Sequence, residues 1–192
     1  LTKGTGGNIS SFNRDMNLFA ITPSSMDYFS LIPENIVVMD LDNNIIEGSA
    51  KPSSEYAMHS IIYRNRDDIC SVVHTHSEGA TVMACMGWHL PPFYYLNMIG
   101  GRDIRCIPYI KYGTEKLAEE ALAGLKDRYA VYLGNHGLLS AGKDLSRAFK
   151  IAEIIETASN IYIKCRMLGS PKLLTEEEIE EMLEVFHGKN YI

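Results

Sequence analysis

His74 and His76 close the apolar run "ICSVVHTH" at 69–76, and His136 follows another, "YAVYLGNHG" at 129–137. Neutral imidazole is the commonest side-chain ligand of transition metals. On a strand, residues i and i+2 share a face, so His74 and His76 point one way and Thr75 the other, their side-chain roots about 6–7 Å apart. From that spacing two imidazoles can converge on one ion, or they are hydrogen-bonded structural histidines; H-x-H alone does not separate the two readings. His136 is flanked by Gly134 and Gly137, which permit a sharp turn that sets an imidazole at a strand end. It reads equally as a polar turn residue. His59, His89 and His187 fit a metal site less well. His59 falls in an expected helix four residues after Glu55 and can pair with it, His89 stands beside a proline pair, and His187 is close to the C-terminus.

Glu55, in "KPSSEYAMH", is expected in the first turn of a helix, where the helix dipole favours an acid. Its chemical alternative is an acid or base beside a metal. Three neutral imidazoles leave a divalent charge uncompensated, which attracts an anionic ligand or substrate. Donors for an anion recur in three places. "KGTGGNISS" at 3–11 is neither a dinucleotide fingerprint nor a Walker loop, but its glycines expose backbone N–H groups, and Thr5, Asn8 and Ser10 add side-chain donors. "TPSS" at 22–25 and "PSSE" at 52–55 are rich in hydroxyls, and the second opens a helix, where free N–H groups favour phosphate. Each alone serves as a cap or turn; together they point to a phosphate pocket.

The elements that must position these groups alternate in type. "NISSF", "NLFAI", "NIVVMD" and "NIIEG" read as short strands punctuated by Asn and Asp. "SSEYAMHSIIYRNR" reads as a helix with Ala57, Ile61 and Ile62 near one face. "ICSVVHT" is a strand, "EGATVMACM" a short helix, "IRCIPY" a strand, "TEKLAEEALAGLKDR" a helix and "YAVYLG" a buried strand. "NHGLLSAG" turns into another strand. A long helix begins after Asp144 as its cap and ends at "GSPK". A final helix opens on a capping box of Thr175 and Glu178. This order predicts an α/β chain with a mixed sheet covered by helices.

The 192 residues carry a net charge of −6, which excludes a broad basic nucleic-acid face. No apolar stretch reaches a membrane span, and no signal peptide is visible. The chain starts at "LTKGTGG" without Met, read as the loss of an N-terminal segment. Cys70, Cys85, Cys106 and Cys165 are scattered without C-x-x-C spacing, which predicts buried free thiols in a reducing cytosol and a cytoplasmic location.

"GTGGNIS", "ITPSSMDY", "KPSSEYAMHSIIYRNRDD", "VVHTHS", "IPYIKYGTEKLAE" and "NHGLLSAG" occur in the order seen in the class II sugar-phosphate aldolases of the aldolase/adducin superfamily. The chain resembles that family over nearly its whole length, most nearly its L-fuculose-1-phosphate aldolases. The resemblance implies one domain over residues 1–192, a three-layer α/β/α fold with a mixed, largely antiparallel central sheet, and a homotetramer around a fourfold axis. It implies one zinc per subunit on His74, His76 and His136, with Glu55 touching the metal and serving as acid/base. It places Thr5, Asn8, Ser24, Ser25, Ser53 and Ser54 around the substrate phosphate; this chain has Ser24-Ser25 where relatives often carry Thr-Gly. A catalytic tyrosine reaching across a subunit interface matches Tyr94 or Tyr95, since the spacing to the "GG" at 100–101 is one residue short. The implied reaction cleaves a ketose 1-phosphate, first of all L-fuculose 1-phosphate, to dihydroxyacetone phosphate and an aldehyde such as L-lactaldehyde. Rival members of the superfamily are a pentulose-phosphate 4-epimerase, usually with Asp at the Glu55 position, and a methylthioribulose-phosphate dehydratase, which carries Glu. A non-enzymatic adducin-like module lacks the three histidines that this chain has.

Overall fold

Short alternating segments separated by Asn and Asp turn back on themselves, and the first third of the chain does so three times. In the computed structural model, which describes Leu1 and residues 4–188, β1 (Asn8–Asn13), β2 (Leu18–Ile21), β3 (Val37–Asp40) and β4 (Ile45–Glu47) are successive antiparallel neighbours. The turns use residues that tolerate left-handed backbone: Asn17 at φ 56° after β1 and Asn43 at φ 67° after β3. Lys3 of the glycine-rich stretch and the side chain of His187 lie outside the described residues.

β5 (Ser71–Thr75), β6 (Arg105–Ile107), β7 (Ala130–Leu133) and β8 (Gly137–Gly142) complete an eight-stranded sheet of order β4-β3-β2-β1-β5-β8-β7-β6. β6 and β7 run parallel and every other pairing is antiparallel, so the sheet is mixed as expected. α1 (Tyr56–Asn65) and α3 (Glu115–Gly124) cover one face; α2 (Glu78–Met86), α4 (Leu145–Leu168) and α5 (Glu176–Gly188) cover the other. Val72 and Val131 face the first core, and their neighbours Val73 and Tyr132 face the second. Burial on both faces is why β5 and β7 read as unbroken apolar runs in the sequence.

The expected caps form. Asp144 Oδ1 accepts from Arg147 N at 2.7 Å, and Thr175 and Glu178 exchange backbone-to-side-chain bonds at 2.7 and 3.3 Å. Other details differ. The buried residues of α1 are Met58, His59, Ser60, Ile62 and Tyr63, while Ala57 and Ile61 are only half-buried beside them. β6 is shorter than "IRCIPY", because Pro108 has no N–H for the ladder. The four thiols are free, but Cys85 is exposed and the others are half-buried, so none belongs to the dry core. Among the described residues no helix is long and apolar enough to cross a membrane.

Candidate active site

The sheet register assembles the site. β1 pairs with β5 so that Asn8 stands opposite His74, and β5 pairs with β8 so that His74 stands opposite Leu139. His76 follows directly after β5. His136 lies in the three-residue loop from β7 to β8, where Asn135 at φ 54° makes the turn. Gly137 lets that loop close: a Cβ there would come within 2.4 Å of the Thr75 carbonyl oxygen.

Three imidazoles therefore converge. His74 Nε2 lies 3.0 Å from His76 Nε2 and 3.2 Å from His136 Nε2. His74 Nδ1–H donates to the Leu138 carbonyl at 2.9 Å, which leaves its Nε2 lone pair facing the other two rings. Burial, with His136 and His76 nearby, holds His74 well below the usual histidine range. His76, at the rim, is lowered by its partial burial and by His136. Neutral lone pairs pointed at each other repel unless a cation lies among them, and the ligand atoms of these three residues are close enough together to hold a metal ion.

Glu55 completes the cluster. It precedes α1 as the N-cap residue, not a member of its first turn, and its side chain caps nothing. The carboxylate instead turns toward the imidazoles, with Oε2 3.4 Å from His74 Nε2 and Oε1 3.6 Å from His136 Nε2. Asn8 Nδ2 donates to Oε2 at 2.9 Å. Oε1 is buried without a hydrogen-bond partner among the described residues. A buried carboxylate oxygen is costly to leave unpaired, and a cation beside three imidazoles satisfies it. The residues present thus fit a divalent metal.

Beside the cluster opens a cleft of about 330 Å³, lined by Thr5, Asn8, Ser24, Ser25, Ser53 and Ser54 together with Glu55, His76 and His136. All six residues expected around a phosphate meet here. Two backbone bonds, Ser24 N to Lys51 O at 2.9 Å and Ser53 N to Thr22 O at 3.1 Å, zip the two serine loops side by side. Ser25 takes φ 60°, so the backbone keeps the path that glycine follows without cost. Ser10 is not part of the cleft, since its hydroxyl is buried against His59 and Tyr63.

Tyr112 also lines the cleft and was not marked by its sequence context. Its placement depends on Gly113, at φ 70°, whose backbone packs so closely on the Ser54 carbonyl that a Cβ would sit 3.0 Å from it. Only the "YG" pair hinted at such a turn. His59 does not pair with Glu55, because Asn8 stands between them. Neither Tyr94 nor Tyr95 is among the residues that line the cleft. Tyr95 borders a separate groove with Lys143, just before α4, Ile154 on α4 and Phe186 on α5.

Residues 1–163 match the model of the Class II Aldolase and Adducin N-terminal domain. The chain is 48% identical to a 5-deoxy-D-ribulose 1-phosphate aldolase of Bacillus thuringiensis serovar kurstaki, covering 98% of this chain and 88% of the relative. It is 34% identical to an L-fuculose phosphate aldolase of Haemophilus influenzae, covering 97% and 86% respectively. A solved structure described as L-fuculose 1-phosphate aldolase superposes with a TM-score of 0.95 at 45% identity, covering 97% of this chain and 88% of that one.

Proposed function

Because the chain belongs to the class II aldolase and adducin family, we propose that it is a zinc-dependent aldolase that reversibly cleaves 5-deoxyribulose 1-phosphate to dihydroxyacetone phosphate and acetaldehyde. The observation that carries the aldolase reading is the orphaned Glu55 oxygen among three imidazoles, at the edge of a donor-lined cleft. The substrate is supported by the 48% identity to a relative named for that sugar phosphate, against 34% for one named for L-fuculose phosphate. L-fuculose 1-phosphate, giving L-lactaldehyde, is the second reading, favoured by the 45% identity to the structure that bears its name. The two sugars share the phosphate-bearing half and a terminal methyl group, so one site geometry suits both.

His74, His76 and His136 would hold the ion, with the Glu55 carboxylate beside them to offset its charge. A bound zinc supplies a Lewis acid that polarises the ketone and stabilises negative charge on its oxygen. Thr5, Asn8, Ser24, Ser25, Ser53 and Ser54 hold the phosphate and fix the three-carbon half. Glu55 takes a proton from the hydroxymethyl carbon in the condensation direction and returns it after cleavage. The proton on the departing aldehyde's oxygen is handled by Tyr94 or Tyr95. Since neither borders its own chain's cleft, we assign that tyrosine to a neighbouring subunit of a homotetramer. Both cores rest on one sheet, and residues 1–192 act as one domain.

Incubating the purified zinc-loaded protein with a panel of ketose 1- and 5-phosphates tests the reading. Release of dihydroxyacetone phosphate is expected, with the highest kcat/KM for 5-deoxyribulose 1-phosphate. A dehydrated product, or a 4-epimer with no triose phosphate released, would favour the dehydratase or the epimerase instead.

Ser54 is exposed at the mouth of the cleft. A hydrogen bond to a charged group contributes about 1.5–3 kcal/mol. Ser54→Ala is therefore expected to raise KM for the phosphorylated substrate about tenfold or more, and to leave turnover of its unphosphorylated analogue unchanged. Equal losses on both compounds would mean that Ser54 only shapes the loop.

A further inference from the structure

Behind Glu55 a line of side-chain hydrogen bonds runs into the core between α1 and the sheet. Asn8 Nδ2 donates to Glu55 Oε2 at 2.9 Å, and Asn8 Oδ1 lies 2.5 Å from His59 Nε2. His59 Nδ1 lies 2.6 Å from Ser10 Oγ, which lies 2.5 Å from the Tyr63 hydroxyl. All five side chains are buried. The line exists because two periodicities face each other: residues 55, 59 and 63 form one stripe of α1 and its cap, and residues 8 and 10 share one face of β1.

The chemistry gives every bond in the line one direction. A carboxylate accepts only, so Asn8 must present its N–H to Glu55 and its carbonyl to His59. His59 must then donate from Nε2. Burial pushes His59 down to about 3, so the ring is neutral and its Nδ1 accepts. Ser10 must therefore donate to Nδ1, and Tyr63 must donate to Ser10. With the amide of Asn8 flipped, its oxygen would face a carboxylate oxygen and its N–H would face no acceptor on His59.

We propose that this line is a polarity lock: the Asn8 carbonyl and the Ser10 hydroxyl together hold His59 in its Nε2–H tautomer, and His59 in turn fixes the Asn8 amide so that its N–H, not its oxygen, faces Glu55. His59 and Ser10 are thus positioning residues for the acid–base carboxylate, an inference that rests on the proposed role of Glu55. Oε2 is tied back to Asn8, and Oε1, without a partner among the described residues, is left directed at the site. Proton transfer depends on that orientation directly, whereas five of the six residues assigned to the phosphate lie outside the line.

The lock makes its members unequal. His59→Leu removes the donor to Asn8. His59→Gln keeps an N–H near the position of Nε2. Ser10→Ala leaves the buried Nδ1 of His59 with no donor, so only the Asn8 carbonyl still holds the ring. Tyr63→Phe leaves the Ser10 donation intact. Two measurements test this on the zinc-loaded protein. The first is kcat and KM for hydrogen exchange into dihydroxyacetone phosphate without aldehyde. The second is the ¹⁵N spectrum of histidine-labelled protein, which reports the tautomer independently of activity.

His59→Leu and Ser10→Ala are expected to lower kcat roughly 10–100-fold, the usual loss when an outer partner of a metal-site group is removed, with a much smaller change in KM and metal content unchanged. His59→Gln and Tyr63→Phe should stay close to the wild type. The wild-type spectrum should show a neutral Nε2–H His59 with a hydrogen-bonded Nδ1, and Ser10→Ala should move the Nδ1 resonance to that of a lone pair with no donor. Should His59→Leu misfold, Ser10→Ala carries the test. An Nδ1–H wild-type tautomer, or equal losses in His59→Leu and His59→Gln, overturns the lock. Wild-type protein with no exchange overturns the aldolase reading instead, and the spectra then decide the lock alone.

Discussion

His74→Ala is expected to empty the metal site and abolish aldolase turnover. His74 is the innermost of the three ligands, 1% exposed, and its ring is aimed by the Leu138 carbonyl. Alanine leaves two imidazoles, of which His76 sits at the rim, and a carboxylate whose partner charge has gone. Loss of the ion removes transition-state charge stabilisation worth several kcal/mol, or at least about 10³-fold in rate at 1.36 kcal/mol per decade. Metal analysis should find one zinc per chain in the wild type and only a small fraction in His74→Ala, His76→Ala and His136→Ala. Chelation should silence the wild type, and added zinc should restore it. Full zinc occupancy in any of the three variants would refute the three-histidine ligand set.

Glu55→Gln is expected to cost roughly 10²–10⁴-fold, the usual contribution of a positioned acid or base. The amide keeps the size of the side chain and can still accept from Asn8, but it has no basic oxygen for a C–H proton. Hydrogen exchange into dihydroxyacetone phosphate isolates that step from aldehyde binding. Exchange at the wild-type rate in a zinc-loaded Glu55→Gln protein would remove Glu55 from the proton path. The same variant tests the shared site. Mixed with an inactive Tyr94→Phe or Tyr95→Phe chain, it should recover activity after subunit exchange, because some interfaces then pair an intact Glu55 with an intact tyrosine. Mixed assemblies as inactive as both parents would place the tyrosine within its own chain or outside the reaction.

Local regularity was legible without coordinates. Strand alternation alone put His74 and His76 on one face, the glycines around His136 announced a turn, and Asp144 and Thr175 announced the helices they cap. These features depend on neighbours within about one turn or one pleat. Register is a different kind of information. That Asn8 faces His74, and so reaches Glu55, follows from how β1 pairs with β5 across more than sixty residues of chain. The pairing of Glu55 with His59 was a sound i,i+4 expectation, but the carboxylate turned toward the imidazoles and Asn8 filled the gap. Tyr112 entered the cleft through a backbone contact between Gly113 and Ser54 that no spacing encodes. The residue types and their order determined which chemistry this chain can perform. Only the tertiary structure decided which oxygen of Glu55 is held and which is directed at the site, because hydrogen-bond direction in a buried line is set jointly by partners far apart in sequence.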